Sequence, residues 1–290
     1  MYNRRVTLNF KEEKIGLALA SGGFLGAYEL GALKYLREAG IGVDDFDSII
    51  GTSVGAVNLV SLLANGLDKT IELFLNVSSN DIYNGNLVKI NTRYKLLNNI
   101  LSKILEKIYT APNNIGNLAL VARGLFGHLD NSPLKKYLDD NITDEGLNKI
   151  LNSDKDIALC TTKLKGFKTV VADKSILTKD NIFNYVMASS SAYPVFPKYT
   201  INGEKYIDGG YKDSCNAQYL FKNFGCDKVV ILDLADNREK WQGYKSIAYV
   251  YPTADLGSFL DTNKEQINKN FEQGYRDARI YFEDNVEIIK

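Results

Sequence analysis

The sequence predicts an α/β protein whose central sheet is mainly parallel and is covered by helices on both faces. A short apolar run at residues 14–20 leads into a glycine-rich turn and a helical pattern at about 27–39. A second strand pattern at 48–50 leads into a tight turn and another helical pattern. Strand, helix, strand and helix in this order are typical of parallel strands joined by crossover helices. The charged residues of the first helix, Glu29 among them, fall on one half of its helical wheel and leave the other half apolar.

The composition is that of a globular protein, with 45% hydrophobic and 24% charged residues. Lys+Arg and Asp+Glu both count 35, so no basic excess indicates a nucleic-acid partner. The three scattered cysteines lack disulfide-framework or zinc-site spacing, and they favour a reducing compartment. The sequence shows neither a signal-peptide pattern nor a bilayer-spanning segment. We therefore expect a cytoplasmic protein without metal or cofactor, leave contact with a membrane surface open, and make no prediction of oligomeric state.

The first turn, residues 21–26 (SGGFLG), is a candidate anion site. Successive N–H groups at the start of a helix favour negative charge, and beside a nucleophile they form an oxyanion hole. The candidate donors are the N–H groups of Gly22, Gly23 and Phe24. Binding of a dinucleotide phosphate is an alternative, disfavoured because no acidic residue follows the second strand where a ribose would bind.

The second turn, within residues 49–58 (IIGTSVGAVN), matches the nucleophile-elbow pattern through Gly51, Ser53 and Gly55. A serine at a sharp strand-to-helix turn has a strained backbone, and glycines on both sides avoid clashes. Its Oγ then lies at a helix N-terminus, where developing negative charge is favoured. We interpret Ser53 as a nucleophile, with an ordinary β-turn-α connection as the alternative.

The acid–base partner of Ser53 is predicted from the segment at 199–208, a hairpin with an Asn-Gly turn. Its second strand ends on Asp208, and Gly209 and Gly210 permit close approach of other backbone. Asp208 is therefore the natural partner. A Ser-His-Asp triad would have to use His128, the only histidine, but its loop shows no mark of a base.

The remaining segments complete a single predicted domain over 1–290, with core motifs at about 14–213 and a C-terminal strand and helix at about 228–286. Strand patterns occur at 157–162, 168–171, 228–233 and 246–251. A helical stripe at 94–108 is interpreted as a core-facing helix, with a lid or a lipid-facing surface as alternatives. The last helix carries an apolar face of Ile267, Phe271, Tyr275, Ala278 and Phe282.

Together these segments resemble the patatin-like phospholipase family, collinearly over most of the chain. The resemblance is carried by four groups of residues: Gly22, Gly23 and Gly26; Gly51, Ser53 and Gly55; Asp208, Gly209 and Gly210; and the segments 130–134 (DNSPL), 188–190 with 194–197, and 274–275. It implies a three-layer α/β/α fold and lipid acyl hydrolysis by a Ser–Asp dyad without histidine. Two departures, Ser21 for a glycine and Leu25 for a basic residue, occur in the first turn, and residues 211–217 match weakly.

The function expected from this resemblance is a serine lipid acyl hydrolase of the phospholipase A or esterase type, acting on a lipid or acyl ester. Ser53 and Asp208 would form the dyad, with an acyl-serine intermediate. The alternatives are an acyltransferase that uses the same residues and a catalytically weak lipid-binding or scaffolding protein. The departures at Ser21, at Leu25 and after Gly210 motivate the second alternative.

Overall fold

The computed structural model of the chain describes residues 5–84, 129–193, 195–241 and 244–290. The predicted helix at 94–108 and His128 lie outside these residues. None of the helices in the described ranges is both long and apolar enough to cross a membrane.

A mainly parallel sheet forms the centre of the molecule. Eight described strands form it in the order β6-β7-β4-β3-β2-β8-β9, with β5 paired to β4, and β1 pairs with β10 separately. Strands β4, β3, β2, β8 and β9 are parallel, whereas β5, β6 and β7 are joined antiparallel. The strands are β1 (Val6–Asn9), β2 (Ile15–Leu19), β3 (Ser48–Thr52), β4 (Asp156–Lys163), β5 (Lys168–Asp173), β6 (Tyr199–Ile201), β7 (Glu204–Asp208), β8 (Lys228–Leu232), β9 (Ile247–Val250) and β10 (Val286–Ile289).

Helices cover both sides of this sheet, so the predicted α/β class is confirmed. The described helices are α1 (Ala27–Glu38), α2 (Val54–Asn65), α3 (Leu67–Asn76), α4 (Ser79–Ile82), α5 (Ser132–Asn141), α6 (Asp144–Asn152), α7 (Ile182–Ser189), α8 (Ala217–Asn223), α9 (Arg238–Trp241) and α10 (Lys264–Asn285). A short 3-10 turn, Gly23–Gly26, precedes α1.

Strands β2 and β3 lie at the centre of the sheet, where both faces are covered by helices. Every residue of β2 and β3 is buried, as expected for parallel strands covered on both faces. In the register, Leu19 lies beside Gly51 on one side and Leu232 on the other. The carboxyl ends of β2 and β3 therefore meet at one edge of the sheet, which brings the two predicted turns together.

Candidate active site

Ser53 lies where β3 ends and α2 begins, at the carboxyl edge of the sheet. Its φ of 54° is in the left-handed region, which a non-glycine residue adopts only under strain. A Cβ on Gly51 would lie 2.4 Å from the carbonyl oxygen of Gly55, and a Cβ on Gly55 would lie 2.5 Å from that of Leu19. The predicted strand-turn-helix geometry is confirmed, and both glycines are required by close backbone approach.

Asp208 is the last residue of β7, and its side chain contacts Ser53 at the end of β3. Because β7 pairs with β4, and β4 lies beside β3, the end of β7 comes level with the end of β3. The Ser53 Oγ donates to Asp208 Oδ2 at 2.6 Å, and the Gly210 N–H donates to Oδ1 at 2.8 Å. Gly209 and Gly210 permit this approach, since a Cβ on Gly209 would lie 2.4 Å from the Cys160 carbonyl oxygen.

The environment of Asp208 favours a base that is active near neutral pH. Its side chain is almost fully buried, at 7% exposure. Burial raises the pKa of Asp208 to about 6, although the hydrogen bonds from Ser53 and the Gly210 N–H oppose this rise. A carboxylate with a raised pKa accepts a hydroxyl proton more readily than an exposed aspartate does.

The first turn places two free amides in the same cavity as Ser53. In the described chain, no acceptor is hydrogen-bonded to the N–H groups of Gly22 and Gly23, and both residues line the cavity. Phe24 differs, because its N–H donates to the carbonyl oxygen of Phe259 at 2.9 Å. The prediction of Phe24 as an oxyanion donor is therefore corrected: this amide is already hydrogen-bonded, and Gly22 and Gly23 remain the candidates.

The cavity beside the dyad has a volume of about 280 Å³ and is mostly apolar. Its polar lining includes Ser53, Asp208 and the buried Asn131, whose Nδ2 has no hydrogen-bond partner among the residues that the structure describes. Its apolar lining comes from α2, α3, α5 and the loop before α10: Val57, Leu73, Phe74, Leu134, Leu138, Phe259 and Leu260. Such a cavity has room for an apolar ligand, with Ser53 and Asp208 in its lining.

Comparison with known protein families shows to which family the chain belongs. The family described as patatin-like phospholipase matches residues 17–221, which include the first turn, Ser53 and Asp208. The chain belongs to this family. Membership supports a lipid-hydrolase activity.

The fold of the chain is also similar to that of a solved structure. VipD from Legionella pneumophila has a TM-score of 0.52 and 14% sequence identity, over 94% of this chain and 67% of VipD. ExoU, solved with SpcU from the type III secretion system of Pseudomonas aeruginosa, has a TM-score of 0.45 and 19% identity, over 97% of this chain and 53% of ExoU. The chain thus spans about half the length of ExoU. Comparison with curated protein sequences gave no significant match.

The first turn of the chain is held by a buried pair of side chains, Glu29 and Asn58, that the sequence did not predict. Glu29 is fully buried, although the helical wheel placed it on the polar half of α1, and that expectation is corrected. Its Oε1 accepts from the Ala20 N–H at 2.6 Å, and its Oε2 accepts from Asn58 Nδ2 at 2.8 Å. Asn58 Nδ2 also donates to the Gly26 carbonyl oxygen at 3.2 Å. The two residues therefore hold both ends of the turn that presents Gly22 and Gly23.

A second unpredicted contact fixes the backbone of Ser53. The Ser53 N–H donates to Ser189 Oγ at 2.7 Å, and Ser189 Oγ donates to the Cys160 carbonyl oxygen. Ser189 belongs to the 188–190 segment that carried the family resemblance, but its spacing gave no indication of this role. It supplies an acceptor for an amide that would otherwise be buried without one.

The two departures from the family pattern have different surroundings. Ser21 lies against the segment that follows Asp208. The two are so close that a Cβ on Gly210 would lie 2.4 Å from Ser21 Oγ. Leu25 is half-buried and packs against the main hydrophobic core. Leu25 therefore makes an apolar contact at the position of the family's basic residue. The departures leave the backbone N–H groups of Gly22 and Gly23 in place.

Proposed function

We propose that this chain is a serine lipid acyl hydrolase that cleaves carboxylic esters through the dyad of Ser53 and Asp208. The observation that carries the proposal is the 2.6 Å hydrogen bond from Ser53 Oγ to the buried Asp208 carboxylate, at the polar end of an apolar cavity. The proposed substrate is a lipid or another acyl ester whose chain occupies that cavity.

The proposed reaction has two halves. In the first, Ser53 Oγ attacks the ester carbonyl carbon while its proton passes to Asp208, and the N–H groups of Gly22 and Gly23 stabilise the oxyanion. Asp208 then returns the proton to the departing alcohol oxygen, which leaves an acyl-serine ester. In the second half, Asp208 takes a proton from water while the water oxygen attacks the acyl carbon. The bond between the acyl carbon and Ser53 Oγ then breaks, Asp208 returns the proton to Ser53 Oγ, and the carboxylic acid is released.

Substitution of the dyad is the direct test. Ser53→Ala should lower hydrolysis of a panel of lipids and soluble esters by at least about a thousandfold, because no other oxygen occupies its position at the elbow. Asp208→Asn should have a similar effect, and His128→Ala should leave the rate unchanged. Full activity of Ser53→Ala would overturn the proposal. An active Asp208→Asn with an inactive His128→Ala would replace the dyad with a triad.

The two alternative functions need separate measurements, since both use the same cavity. A serine-reactive phosphonate that labels Ser53 would eliminate an inert lipid-binding protein. Transfer of the acyl group to an added alcohol would form a new ester, whereas hydrolysis releases the free acid. Product analysis therefore separates acyltransferase from hydrolase.

A further inference from the structure

The β4–β5 hairpin and the β6–β7 hairpin extend past the edge of the sheet where Ser53 and Asp208 lie. The pairing of β3 with β4 ends at Thr52 and Cys160, but β4 continues for three more residues to Lys163. At the rise of a strand this places Lys163 about 10 Å beyond the level of Ser53's neighbour Thr52. Strand β7 accompanies β4 over this distance, with Tyr206 opposite Lys163. The turns of both hairpins therefore project beyond the ends of β2 and β3, on the side of the sheet where Ser53 lies.

This projecting region concentrates positive charge in a chain that is neutral as a whole. We call it the lysine surface, and define it by six residues: Lys163, Lys165, Lys168, Lys198, Lys205 and Lys212. The same segments contain Glu204, which pairs with Lys163 at 3.1 Å, and Asp213, which pairs with Lys240 at 2.8 Å. Among the described residues, the other five lysines of the surface have no carboxylate partner.

Apolar side chains stand between these lysines. Leu164, Phe167 and Tyr193 pack around the buried Ile207 and Tyr211 to form a small cluster separate from the main core. Phe167 has a positive φ of 46° at the tip of the β4–β5 turn, with the Lys212 Nζ 5.2 Å from its ring centroid. Tyr211 also lines the cavity beside Ser53. The lysine surface is thus continuous with the site through Tyr211.

We infer that the lysine surface docks this protein onto a bilayer containing anionic lipids, an inference that rests on the proposed lipid hydrolysis. Each lysine near an anionic bilayer increases the affinity about fivefold, and the five unpaired lysines act together. Leu164 and Phe167 supply apolar contact at the level of the headgroups. The active-site edge then faces the bilayer from which the acyl chain comes.

Vesicle sedimentation tests this inference without turnover when every protein carries Ser53→Ala. The parent protein should bind phosphatidylcholine vesicles that contain phosphatidylglycerol, but not vesicles of phosphatidylcholine alone, and added salt should weaken the binding. The combined variant Lys165→Glu, Lys168→Glu and Lys205→Glu should bind at least about a hundredfold more weakly.

The matched control also replaces three lysines with Glu, but at the edge of the sheet formed by the amino ends of the parallel strands. Lys11, Lys149 and Lys245 are exposed and precede β2, β4 and β9, respectively, so they lie toward the amino ends of parallel strands. Their combined change to Glu should reduce binding only a few-fold, because these charges lie far from the docked bilayer. Lys→Gln versions at 165, 168 and 205 should show a smaller loss in the same direction, and thermal unfolding checks that each variant is folded.

Three results would overturn the inference: no binding of the parent protein to anionic vesicles, equal losses in the two Glu variants, or binding to an acidic protein but not to vesicles. Failure of the proposed function is a separate result. It would appear as absent hydrolysis of a soluble ester by the chain with Ser53 intact, whether or not the Ser53→Ala protein binds vesicles.

Discussion

At the scale of single residues, the chemistry of the site depends on how the protein balances the charge of Asp208. Burial disfavours the ionised form of this carboxyl and raises its pKa. Hydrogen bonds from Ser53 and Gly210 stabilise the ionised form, and the balance leaves the pKa of Asp208 at about 6. The group is therefore ionised at pH 7 and still more basic than an exposed aspartate.

The proposed dyad predicts the pH dependence of hydrolysis. Only the ionised form of Asp208 accepts the Ser53 proton, so kcat/KM for a soluble ester should rise with pH through a midpoint near 6. Below this midpoint the rate should fall about tenfold per pH unit, and above it the profile should be level until another group titrates. A profile without an inflection between pH 5 and 7 (a window of about one unit on each side of the midpoint) would contradict the role of Asp208.

The two residues of the proposed dyad could be picked out from the sequence because each carries a local pattern, whereas the residues that support them could not. Ser53 lies between two glycines at a strand end, and Asp208 precedes two glycines at another. The N–H of Phe24 is bonded to Phe259, which lies far along the chain, so no local pattern could show that this amide is occupied. Ser189 likewise acts on Ser53 through a contact that only the fold creates.

At the scale of elements, the first turn is held by hydrogen bonds that originate in the helices beside it. Glu29 on α1 and Asn58 on α2 hold the turn at Ala20 and Gly26. Burial raises the pKa of the Glu29 carboxyl to about 8, hydrogen bonds from Asn58 and Ala20 oppose the rise, and the charge of Asp233 adds to it. This buried acid supplies the acceptor that the buried backbone amide of Ala20 needs.

Substitution of Glu29 should therefore impair the proposed oxyanion hole rather than the proposed dyad. Glu29→Leu removes the acceptors of Ala20 and Asn58, and the resulting shift of the turn should lower kcat by roughly a hundredfold. Glu29→Gln keeps an acceptor for Ala20 and should retain more activity. Turnover of a soluble ester and thermal unfolding separate loss of geometry from loss of folding.

The matched control for this prediction is Glu38→Leu, on the same helix. Glu38 is exposed and bonded to Lys34 and Tyr275. This change should leave kcat nearly unchanged, since Glu38 lies at the opposite end of α1 from the turn. Equal activities of Glu29→Leu and Glu38→Leu would show that the buried pair of Glu29 and Asn58 does not position the turn.

The elements themselves were largely predictable from hydrophobic periodicity. The strand patterns at 157–162 and 228–233 match β4 and β8 closely, and the helix expected at about 27–39 is α1. The β1–β10 pair was not predicted, because each strand has only four residues and its partner lies at the other end of the chain. Glu29 was misplaced because a helical wheel does not show that neighbouring backbone amides need an acceptor.

At the scale of the whole molecule, the C-terminal segment completes the site although it lies beyond the family match at 17–221. Phe259 accepts the Phe24 N–H, and Phe259 and Leu260 line the cavity. Helix α10 then packs against α1 so closely that a Cβ on Gly31 would lie 1.9 Å from the Phe271 carbonyl oxygen. Helix α1, which follows the turn of Gly22 and Gly23, and helix α10 therefore pack backbone against backbone.

This packing predicts that the chain unfolds as one unit and that Gly274 controls its stability. A Cβ on Gly274 would lie 1.9 Å from the Tyr28 carbonyl oxygen, so Gly274→Ala must separate α1 from α10. The free energy of unfolding should fall by roughly 3 kcal/mol, and calorimetry should show a single transition at a lower temperature.

Gly42→Ala is the matched control, because Gly42 has a φ of −82° and its nearest neighbour would lie 3.6 Å from an added Cβ. It should leave the transition almost unmoved, since alanine adopts this backbone without strain and meets no close contact. Two separate transitions in the unsubstituted chain would contradict the single-domain prediction. An unchanged transition in Gly274→Ala would show that α10 is not packed against α1 in solution, and the Phe24–Phe259 contact would then lose its support.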